Sequence, residues 1–222
     1  MNPHDASAMT YAICAPNDTE EMHKLLAEAF SRHDPPAVAL GITASDFKEV
    51  FRQFSSAGQE GLTTIARDSA TGEMAGAMLT EDAIPASKLG TTRLTEKFDP
   101  IFDLLGQLDA QYRNKRTVHP GEYLHLLFLG VAEKYGGRGV AQALVARCLE
   151  NGRAKGYRIA MTEATNRVSQ HIFRKLGFVE RVKLSYGDYR HNGEAVFASI
   201  AEHGGPISMD HQLVDSPADR AR

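Results

Sequence analysis

The segment from Tyr123 to Ala141 constrains the fold more than any other part of the chain. Its first part, Tyr123–Val131, is almost wholly apolar, which is typical of a strand buried in the middle of a sheet. A short, polar, glycine-rich stretch, Glu133–Arg138, follows closely, and from Val140 the apolar residues return at helical spacing. The pattern therefore predicts a central strand that leads through a glycine loop into a helix.

The bend of this segment, Gly136–Ala141, has the composition of a phosphate-binding loop. Glycines let the backbone approach a ligand closely, and the first turn of a helix presents N–H groups with a partial positive charge. These properties suit a pyrophosphate group, and Arg138 adds a permanent charge. The P-loop motif is absent, and Gln142 stands where a dinucleotide fingerprint needs glycine. The alternative interpretation is a surface loop that only joins strand to helix.

The rest of the sequence predicts a mixed α/β domain without internal repeats. Before the central strand, apolar spacing and turn residues predict a strand, two helices, a hairpin and a third helix at about Tyr11–Cys14, Asp18–Asp34, Thr43–Ser56, Leu62–Leu79 and Asp99–Tyr112. After the loop and its helix they predict a strand, a helix and two final strands at about Arg158–Glu163, Ser169–Leu176, Phe178–Tyr186 and Ala195–Ile200. The predicted domain spans residues 10–203, and we expect the polar residues 204–222 to form a mobile or weakly docked tail.

Composition argues against several other classes of protein. Of the 222 residues, 42% are hydrophobic and 24% are charged, the usual balance of a soluble globular domain. A formal net charge of -3 gives no reason to expect binding to nucleic acid or to an anionic membrane. Cys14 and Cys148 fit no zinc or redox spacing, so we expect no metal. No apolar run approaches the roughly 20 residues of a membrane helix, and Met1–Ala8 does not read as a signal peptide, so we expect a cytoplasmic protein.

Two blocks of the sequence resemble motifs of the GCN5-related N-acetyltransferases, the GNAT family. Gly136–Ala141 is similar to the family's coenzyme A loop, Arg/Gln-x-x-Gly-x-Gly/Ala, with Gly136 in place of the first Arg or Gln. Asn166–Phe178 is similar to the downstream block Asn-x-x-Ala-x-x-Leu-Tyr-x-Lys-Leu-Gly-Phe. The resemblance extends over nearly the whole chain. It implies a single α/β domain whose mixed, mostly antiparallel sheet is splayed at strand four and has helices on both faces.

The same resemblance implies acetyl-CoA as the cofactor. Contacts to it would come from the end of strand four, the glycine loop and the following Asn block, through Leu129, Gly130, Val131, Gly136, Gly137, Arg138, Gly139, Val140, Ala141, Asn166, Ser169 and Phe173. A backbone N–H of Gly130 or Val131 would face the thioester carbonyl, where negative charge develops. In the family, a Tyr often protonates the departing thiolate, but Phe173 takes its place here and has no proton to give.

Within the family, the chain is most similar to the arylalkylamine and dopamine N-acetyltransferases of insects. Phe30–Pro36 resembles their Phe-x-x-x-Glu-Pro-Leu segment, with Asp34 at the place of the glutamate that serves as general base. Thr165 and Ser169 stand where this branch carries two hydroxyl residues near the acetyl group. The resemblance implies direct attack on the thioester by the amine of a small alkylamine, aromatic or aliphatic.

Amine acetylation needs a proton acceptor, because an alkylamine with a pKa of about 10.4 is almost fully protonated at neutral pH. Asp34 is one candidate, and the alternative is that it is a turn residue ahead of Pro35. His125 is the other, since related amine acetyltransferases carry a histidine at this place on the fourth strand. Its alternative is a buried histidine satisfied by its neighbours. Ser169 and Tyr186 are candidates for protonating the sulfur.

The acceptor itself is not identified by the sequence. Aromatic residues on predicted helices could wall its pocket, although core packing explains the same spacing: Phe47, Phe51, Phe98, Phe102 and Tyr112. An enzyme of the same class with another acceptor, such as a protein N-terminus, a polyamine or an aminoglycoside, stays open, although no carboxylate cluster is evident. A non-catalytic coenzyme A sensor also stays open because of Phe173. The sequence does not decide whether the chain forms a homodimer.

Overall fold

A seven-stranded sheet forms the centre of the computed structural model, which describes residues 8–53, 60–83, 96–114 and 116–214. The strands are β1 (Met9–Ile13), β2 (Thr64–Asp68), β3 (Met74–Asp82), β4 (Tyr123–Val131), β5 (Ile159–Ala164), β6 (Val179–Lys183) and β7 (Ile207–Gln212). They lie in the order β1-β2-β3-β4-β5-β7-β6, and only the pair β4–β5 is parallel. The mixed, mostly antiparallel sheet predicted from the sequence is confirmed.

Helices cover both faces of this sheet, as predicted. They are α1 (Thr19–His33), α2 (Pro35–Ala39), α3 (Ala44–Gln53), α4 (Asp99–Arg113), α5 (Val140–Ala154) and α6 (Arg167–Lys175). Strand alternation divides the core between the faces. On β3, Ala77 and Leu79 pack in the cluster that contains α1, α3 and α4, whereas Met78 packs in the cluster that contains α5 and α6. None of the helices in the described residues has the length and apolar content needed to cross a membrane.

The splay at strand four is the feature that positions the site. Strands β4 and β5 pair over three residues of each, Tyr123–His125 with Ile159–Met161. Just beyond, Thr162 Oγ1 donates to the carbonyl oxygen of Leu126 at 2.9 Å, and after this the two strands no longer pair. A bulge opposite Leu79 and Thr80 adds one residue, Leu127, to β4. The second half of β4 therefore presents an open edge on the side where β5 leaves.

The sheet continues beyond residue 203, the end of the domain predicted from the sequence. Residues 207–212 form β7, which lies between β5 and β6 rather than in a tail. Ile207 and Met209 pack in the core on one face. Asp210 is also buried, and it accepts hydrogen bonds from Tyr112 and Arg181. Asp210 finds these two partners only in the folded chain, so the sequence alone does not reveal that this polar residue belongs to a buried strand.

Two further elements differ from the sequence prediction. Residues 195–200, predicted as a strand, are irregular, and a 3-10 turn extends over Ala198–His203. Asn192-Gly193 still makes a tight turn, which is closed by one bridge between His191 and Glu194. The prolines after Asp34 do not simply end α1. They occupy the first turn of the short helix α2, where the fixed φ of proline is favourable and its missing N–H costs nothing.

Gly130 allows α1 to approach β4 closely. A Cβ atom at this position would lie 2.8 Å from Leu26 Cδ2 and 3.2 Å from the Cβ of Ala29, both on α1. The contact holds the C-terminal half of α1, and with it the residues that follow, against the central strand. The glycine that resembles a cofactor-binding residue in the sequence thus has a packing role in the fold.

We expect Gly130→Ala to lower the free energy of unfolding by about 1–3 kcal/mol, the usual cost of overpacking a filled core. Urea denaturation measures the change. Gly106→Ala is the control, because Gly106 lies inside α4 and a Cβ there meets no atom within 4 Å. It should raise stability by up to about 1 kcal/mol through helix propensity. Equal stability of Gly130→Ala and the wild type would mean that α1 lies farther from β4.

Candidate active site

A cavity of about 360 Å³ opens where β4 and β5 separate. Its two ends differ in chemistry, and α4 runs along both. We call the first the aromatic end, formed by Phe30, Phe47, Phe98, Phe102 and Phe128. We call the second the charged end, formed by Glu81, Asp109, Arg113, His125 and Glu163. The residues of β4 beyond the last ladder pair, Leu126–Leu129, form the wall between them.

Asp34 lies on the cavity wall at the junction of α1 and α2. Its Oδ2 accepts the N–H of Ala37 at 3.2 Å and so caps α2, while Oδ1 accepts the hydroxyl of Thr165 at 2.5 Å. The residue is only 6% exposed. Burial raises the pKa of this carboxyl to about 6, although the hydrogen bonds from Thr165 and Ala37 oppose the rise. Asp34 is therefore a turn residue that caps α2 and, at the same time, a buried carboxyl with a raised pKa.

Thr165 connects Asp34 to a buried tyrosine. The hydroxyl of Tyr186 donates to the carbonyl oxygen of Thr165 at 2.7 Å. Burial, together with the charge of Asp34, raises the pKa of Tyr186 well above its usual range. Tyr186 is fully buried and does not contribute to the cavity lining. Its geometry suits a structural support for Thr165 and does not suit proton donation to a ligand.

His125 forms a short ion pair with Glu163 at the charged end. The Nε2 and Oε2 atoms are 2.6 Å apart, and the two side chains are 8% and 11% exposed. Burial alone would lower the pKa of His125, but the facing carboxylate of Glu163, with Glu81 and Asp109 farther away, raises it overall. Burial likewise opposes ionisation of Glu163, yet His125 and Arg113 lower its pKa overall. Each member of the pair therefore stabilises the charged form of the other.

The remaining charged-end residues come from α4 and β3. Arg113 Nε lies 2.7 Å from both carboxylate oxygens of Asp109, one helical turn earlier. Glu81 pairs with His125 in the register of β3 and β4. The sequence analysis identified His125 but not Glu163, Asp109, Arg113 or Glu81. These residues share no local motif, and only the strand register and the position of α4 bring them together.

The glycine loop lies on the surface at the N-terminus of α5. Gly137 and Gly139 have φ angles of 72° and 77°, and a Cβ on either would meet no atom within 4 Å. The first bond of the helix runs from Ala143 N–H to Gly139 O at 3.0 Å, so the preceding N–H groups of the first turn have no partner inside the helix. The Arg138 guanidinium lies over the Tyr135 ring, 5.6 Å from its centre. This open backbone with its adjacent cation fits a diphosphate.

The end of β4 offers one of the two proposed backbone donors to the open edge. The N–H of Ala132 donates to Ala75 O of the β3 side at 2.9 Å. Backbone groups alternate along an antiparallel ladder, so the N–H groups of Val131 and Leu129 point away from β3, toward the side that β5 leaves. The N–H of Gly130 points toward β3. Gly130 is therefore not oriented to meet a thioester carbonyl, whereas Val131 is.

The start of α6 lines the cavity through Asn166, Ser169 and Phe173. Asn166 caps the helix, because its side-chain oxygen accepts the N–H of Ser169 at 2.8 Å. The Ser169 hydroxyl donates to the carbonyl oxygen of Asn166 at 2.9 Å. The Phe173 ring is buried and packs edge to face on Phe178, with centroids 4.9 Å apart. The residues that the sequence assigned to the pantetheine region are thus brought to the same wall.

Three of the five aromatic candidates reach the cavity: Phe47, Phe98 and Phe102. Phe51 lies in the core behind them, and Tyr112 is buried with its hydroxyl donating to Asp210 at 2.9 Å. Core packing is therefore the correct interpretation for these two. In the part of the chain that the structure describes, no group of three or more His, Cys, Asp or Glu residues could hold a metal ion.

Comparison with known family models finds one similarity. Residues 87–178 match the model of the acetyltransferase (GNAT) family. The match covers less than half of the chain, so it shows that this segment is similar to the family. The matched GNAT segment begins before α4, includes the glycine loop and ends at Phe178, so it carries both motif blocks of the sequence and most of the cavity wall.

Solved structures share the fold over almost the whole chain. Arylalkylamine N-acetyltransferase 2 from Aedes aegypti is 20% identical with a TM-score of 0.81, covering 93% of this chain and 99% of that one. The C-terminal condensation domain of Ebony, solved with beta-alanyl-dopamine, is 17% identical with a TM-score of 0.83, covering 92% and 99%. A polyamine N-acetyltransferase from Drosophila melanogaster is 20% identical with a TM-score of 0.73, covering 92% and 100%. At these identities the likeness is one of fold.

We expect Gly139→Asp to weaken coenzyme A binding about 100-fold, or about 2.7 kcal/mol, because it places negative charge beside the diphosphate. Calorimetric titration measures the affinity. Gly156→Asp is the matched control: Gly156 also has a positive φ, of 90°, with open space around it, but it follows the opposite end of α5. It adds the same charge and similar backbone strain. Similar affinities for the two variants would remove the loop as the diphosphate site.

Proposed function

We propose that this protein transfers the acetyl group of acetyl-CoA to the primary amine of a small acceptor that has an apolar body. The observation that carries the proposal is Asp34, a buried carboxyl with a pKa of about 6 on the wall of a cavity at the β4–β5 separation. The aromatic end would hold the apolar body. Solved structures of similar fold include arylalkylamine and agmatine N-acetyltransferases, which is consistent with an amine acceptor.

The coenzyme would bind along the open edge of β4 and the glycine loop. Backbone N–H groups of Gly137–Ala141 and the Arg138 guanidinium would hold the diphosphate. Val131 N–H would donate to the thioester carbonyl, and Asn166 and Ser169 would contact the pantetheine arm. When bound, acetyl-CoA supplies the activated acetyl group. The orientation of these groups in the fold supports the cofactor contacts that the family resemblance implies.

Asp34 would serve as the general base. The acceptor arrives as an ammonium ion with a pKa of about 10.4, and only its neutral form can attack. The carboxylate accepts one proton from that ammonium and becomes neutral, which removes a charge that burial disfavours. A pKa near 6 leaves Asp34 ionised at neutral pH while keeping it basic enough to help. His125 is the less suitable base, because Glu163 stabilises the charged form of its ring.

Ser169 is the hydroxyl best placed to give a proton to the departing sulfur, since Phe173 has none. It would turn from its bond with Asn166 O to do so, and it would regain a proton from the attacking nitrogen, which loses its second proton as the amide forms. A thiolate is also a tolerable leaving group without help, because free thiols have a pKa of about 8.5. The absence of a tyrosine at position 173 is therefore compatible with turnover. A second candidate function, coenzyme A binding without turnover, rests on Phe173 alone.

Thiol release from acetyl-CoA, measured over a panel of small amines, tests the proposal. We expect kcat/KM to rise as pH increases through about 6, because the base acts only when deprotonated. We expect Asp34→Asn to abolish this pH-dependent rise of kcat/KM. We also expect it to lower kcat about 100-fold, which is at the lower end of the effect of losing a general base. Coenzyme A affinity should stay unchanged. If kcat/KM of the variant still rose with pH near 6, Asp34 would be excluded as the general base. Binding of acetyl-CoA without thiol release for every amine would favour the coenzyme A sensor.

A further inference from the structure

Arg113 offers the cavity hydrogen-bond donors that its neighbours do not take up. Its Nε atom lies 2.7 Å from both carboxylate oxygens of Asp109. Among the residues that the structure describes, none accepts a hydrogen bond from the two terminal nitrogens, Nη1 and Nη2. The side chain is only 19% exposed and lines the cavity. Because both terminal nitrogens carry N–H groups, the charged end has donors available for a ligand that accepts hydrogen bonds.

His125, which lines the same end of the cavity, has a second nitrogen that can act in either direction. Its Nε2 atom faces Glu163, and an ionised carboxylate only accepts, so Nε2 carries the hydrogen of that bond. In the part of the chain that the structure describes, Nδ1 has no hydrogen-bond partner. This atom accepts a hydrogen bond when the ring is neutral and donates one when the ring is charged. A ligand group that both donates and accepts suits the ring in either state.

The charges at this end disfavour a charged ligand group of either sign. Arg113 is paired with Asp109, and His125 is paired with Glu163. Arg113 also lowers the pKa of Glu163, so the two ion pairs lie within electrostatic reach of each other. Glu81 faces the ring of His125 as well. An ammonium group here would be repelled by the guanidinium, and a carboxylate would be repelled by the acidic side chains.

A hydroxyl group satisfies this end better than a methyl group does. A methyl group over Arg113 would exclude water from the N–H groups and give them no acceptor in return, which costs free energy. A hydroxyl oxygen accepts from the guanidinium, and its hydrogen can be donated to a neighbouring carboxylate or to Nδ1 of a neutral His125. It does so without adding charge.

The charged end is separated from Asp34 by a distance suited to a short chain. Asp34 accepts the hydroxyl of Thr165, and Glu163 lies two residues earlier at the end of β5, a step of about 7 Å. The cavity surface also includes the apolar side chains of Leu105 and Leu127. Such a path suits methylene groups and places polar contacts at its two ends.

We infer that the acceptor is an aliphatic amino alcohol, with its amine at Asp34 and its hydroxyl group at the terminal nitrogens of Arg113. This rests on the proposed amine acetylation at the same site. The apolar wall would contact the carbon chain between the two ends. Arg113 is then a specificity-determining residue, because its N–H groups contact the acceptor far from the reacting nitrogen.

A matched set of acceptors tests the inference. The molecules 5-aminopentan-1-ol, n-pentylamine, 1,5-diaminopentane and 5-aminopentanoate have the same number of carbon atoms. They differ in the terminal group, which is a hydroxyl, a methyl, an ammonium or a carboxylate. Thiol release from acetyl-CoA is measured with each. We expect kcat/KM for the amino alcohol to be about tenfold higher than for pentylamine, because a site with hydrogen-bond donors discriminates against an analogue that lacks the hydroxyl. The two charged acceptors should also be poorer than the amino alcohol.

Two variants of one ion pair should differ in their effect on the ratio of kcat/KM for the amino alcohol to that for pentylamine. Arg113→Met removes the donors and should lower the ratio about tenfold, to near one. Asp109→Asn breaks the same salt bridge but keeps the guanidinium, so the preference for the amino alcohol should remain. A merely structural effect would change both variants alike. Arg147→Met is the matched control: Arg147 pairs with Glu150 on the exposed face of α5, and its loss should leave the ratio unchanged.

The outcomes separate this inference from the proposed function. A preference for the amino alcohol that is lost in Arg113→Met and kept in Asp109→Asn supports it. Better use of pentylamine, the diamine or the carboxylate, or an unchanged ratio in Arg113→Met, would overturn it while leaving amine acetylation intact. So would thiol release with another amine but with none of these four acceptors. The ratios of the wild type decide the matter even if Arg113→Met does not fold. No thiol release with any amine would overturn the proposed function, and this inference with it.

Discussion

Strands β4 and β5 share a ladder over only three residue pairs, and the rest of the site depends on this. A parallel pair that continued would bury the second half of β4 and leave no cavity. Because the strands separate, backbone groups such as the N–H of Val131 face an open edge, and the start of α6 lies opposite them. The bulge at Leu127 turns consecutive residues of β4 toward the same space. The glycine loop then follows at the end of the same strand.

Burial disfavours the charged form of both candidate bases, but only His125 faces a carboxylate that reverses this effect. Asp34 is removed from water with only neutral donors, Thr165 and Ala37, so the pKa of its carboxyl rises to about 6. His125 is equally removed from water but faces Glu163, so its charged form is stabilised instead. The same cavity thus holds a carboxyl whose pKa is raised by burial and an imidazole whose charged form is stabilised by a facing carboxylate. We infer from this contrast that Asp34, although shorter than the family's glutamate, is the better candidate for the base.

Local features of the fold and site follow from the sequence, and long-range ones do not. The strand, glycine loop and helix of Tyr123–Ala154 are determined by apolar spacing and by glycines that tolerate a positive φ. The bond between Asp34 and Thr165 joins residues 131 positions apart, so it depends on how the sheet is assembled. Glu163 faces His125 only because β5 lies beside β4. The sequence does not predict strand β7, because Asp210 is polar and the partners of Asp210, Tyr112 and Arg181, lie on other elements.

The charged end of the cavity is likewise a product of assembly. Its three carboxylates come from three elements: Glu81 from β3, Asp109 from α4 and Glu163 from β5. No acidic segment of the sequence predicts that they lie together. Because these carboxylates lie together beside the aromatic residues, the two ends of the cavity differ in polarity. The family resemblance implies only the type of reaction. The chemistry of the acceptor has to be inferred from the arrangement of the side chains in the cavity.

The central claim is that the carboxyl of Asp34 is held out of water at the cavity wall. Carbon-13 NMR titration of its carboxyl, assigned by comparison with Asp34→Asn, measures this directly. We expect a midpoint of about 6 in the free protein. A midpoint near 3.9, the value of an aspartate in water, would contradict the account, because it would mean that the carboxyl is solvated.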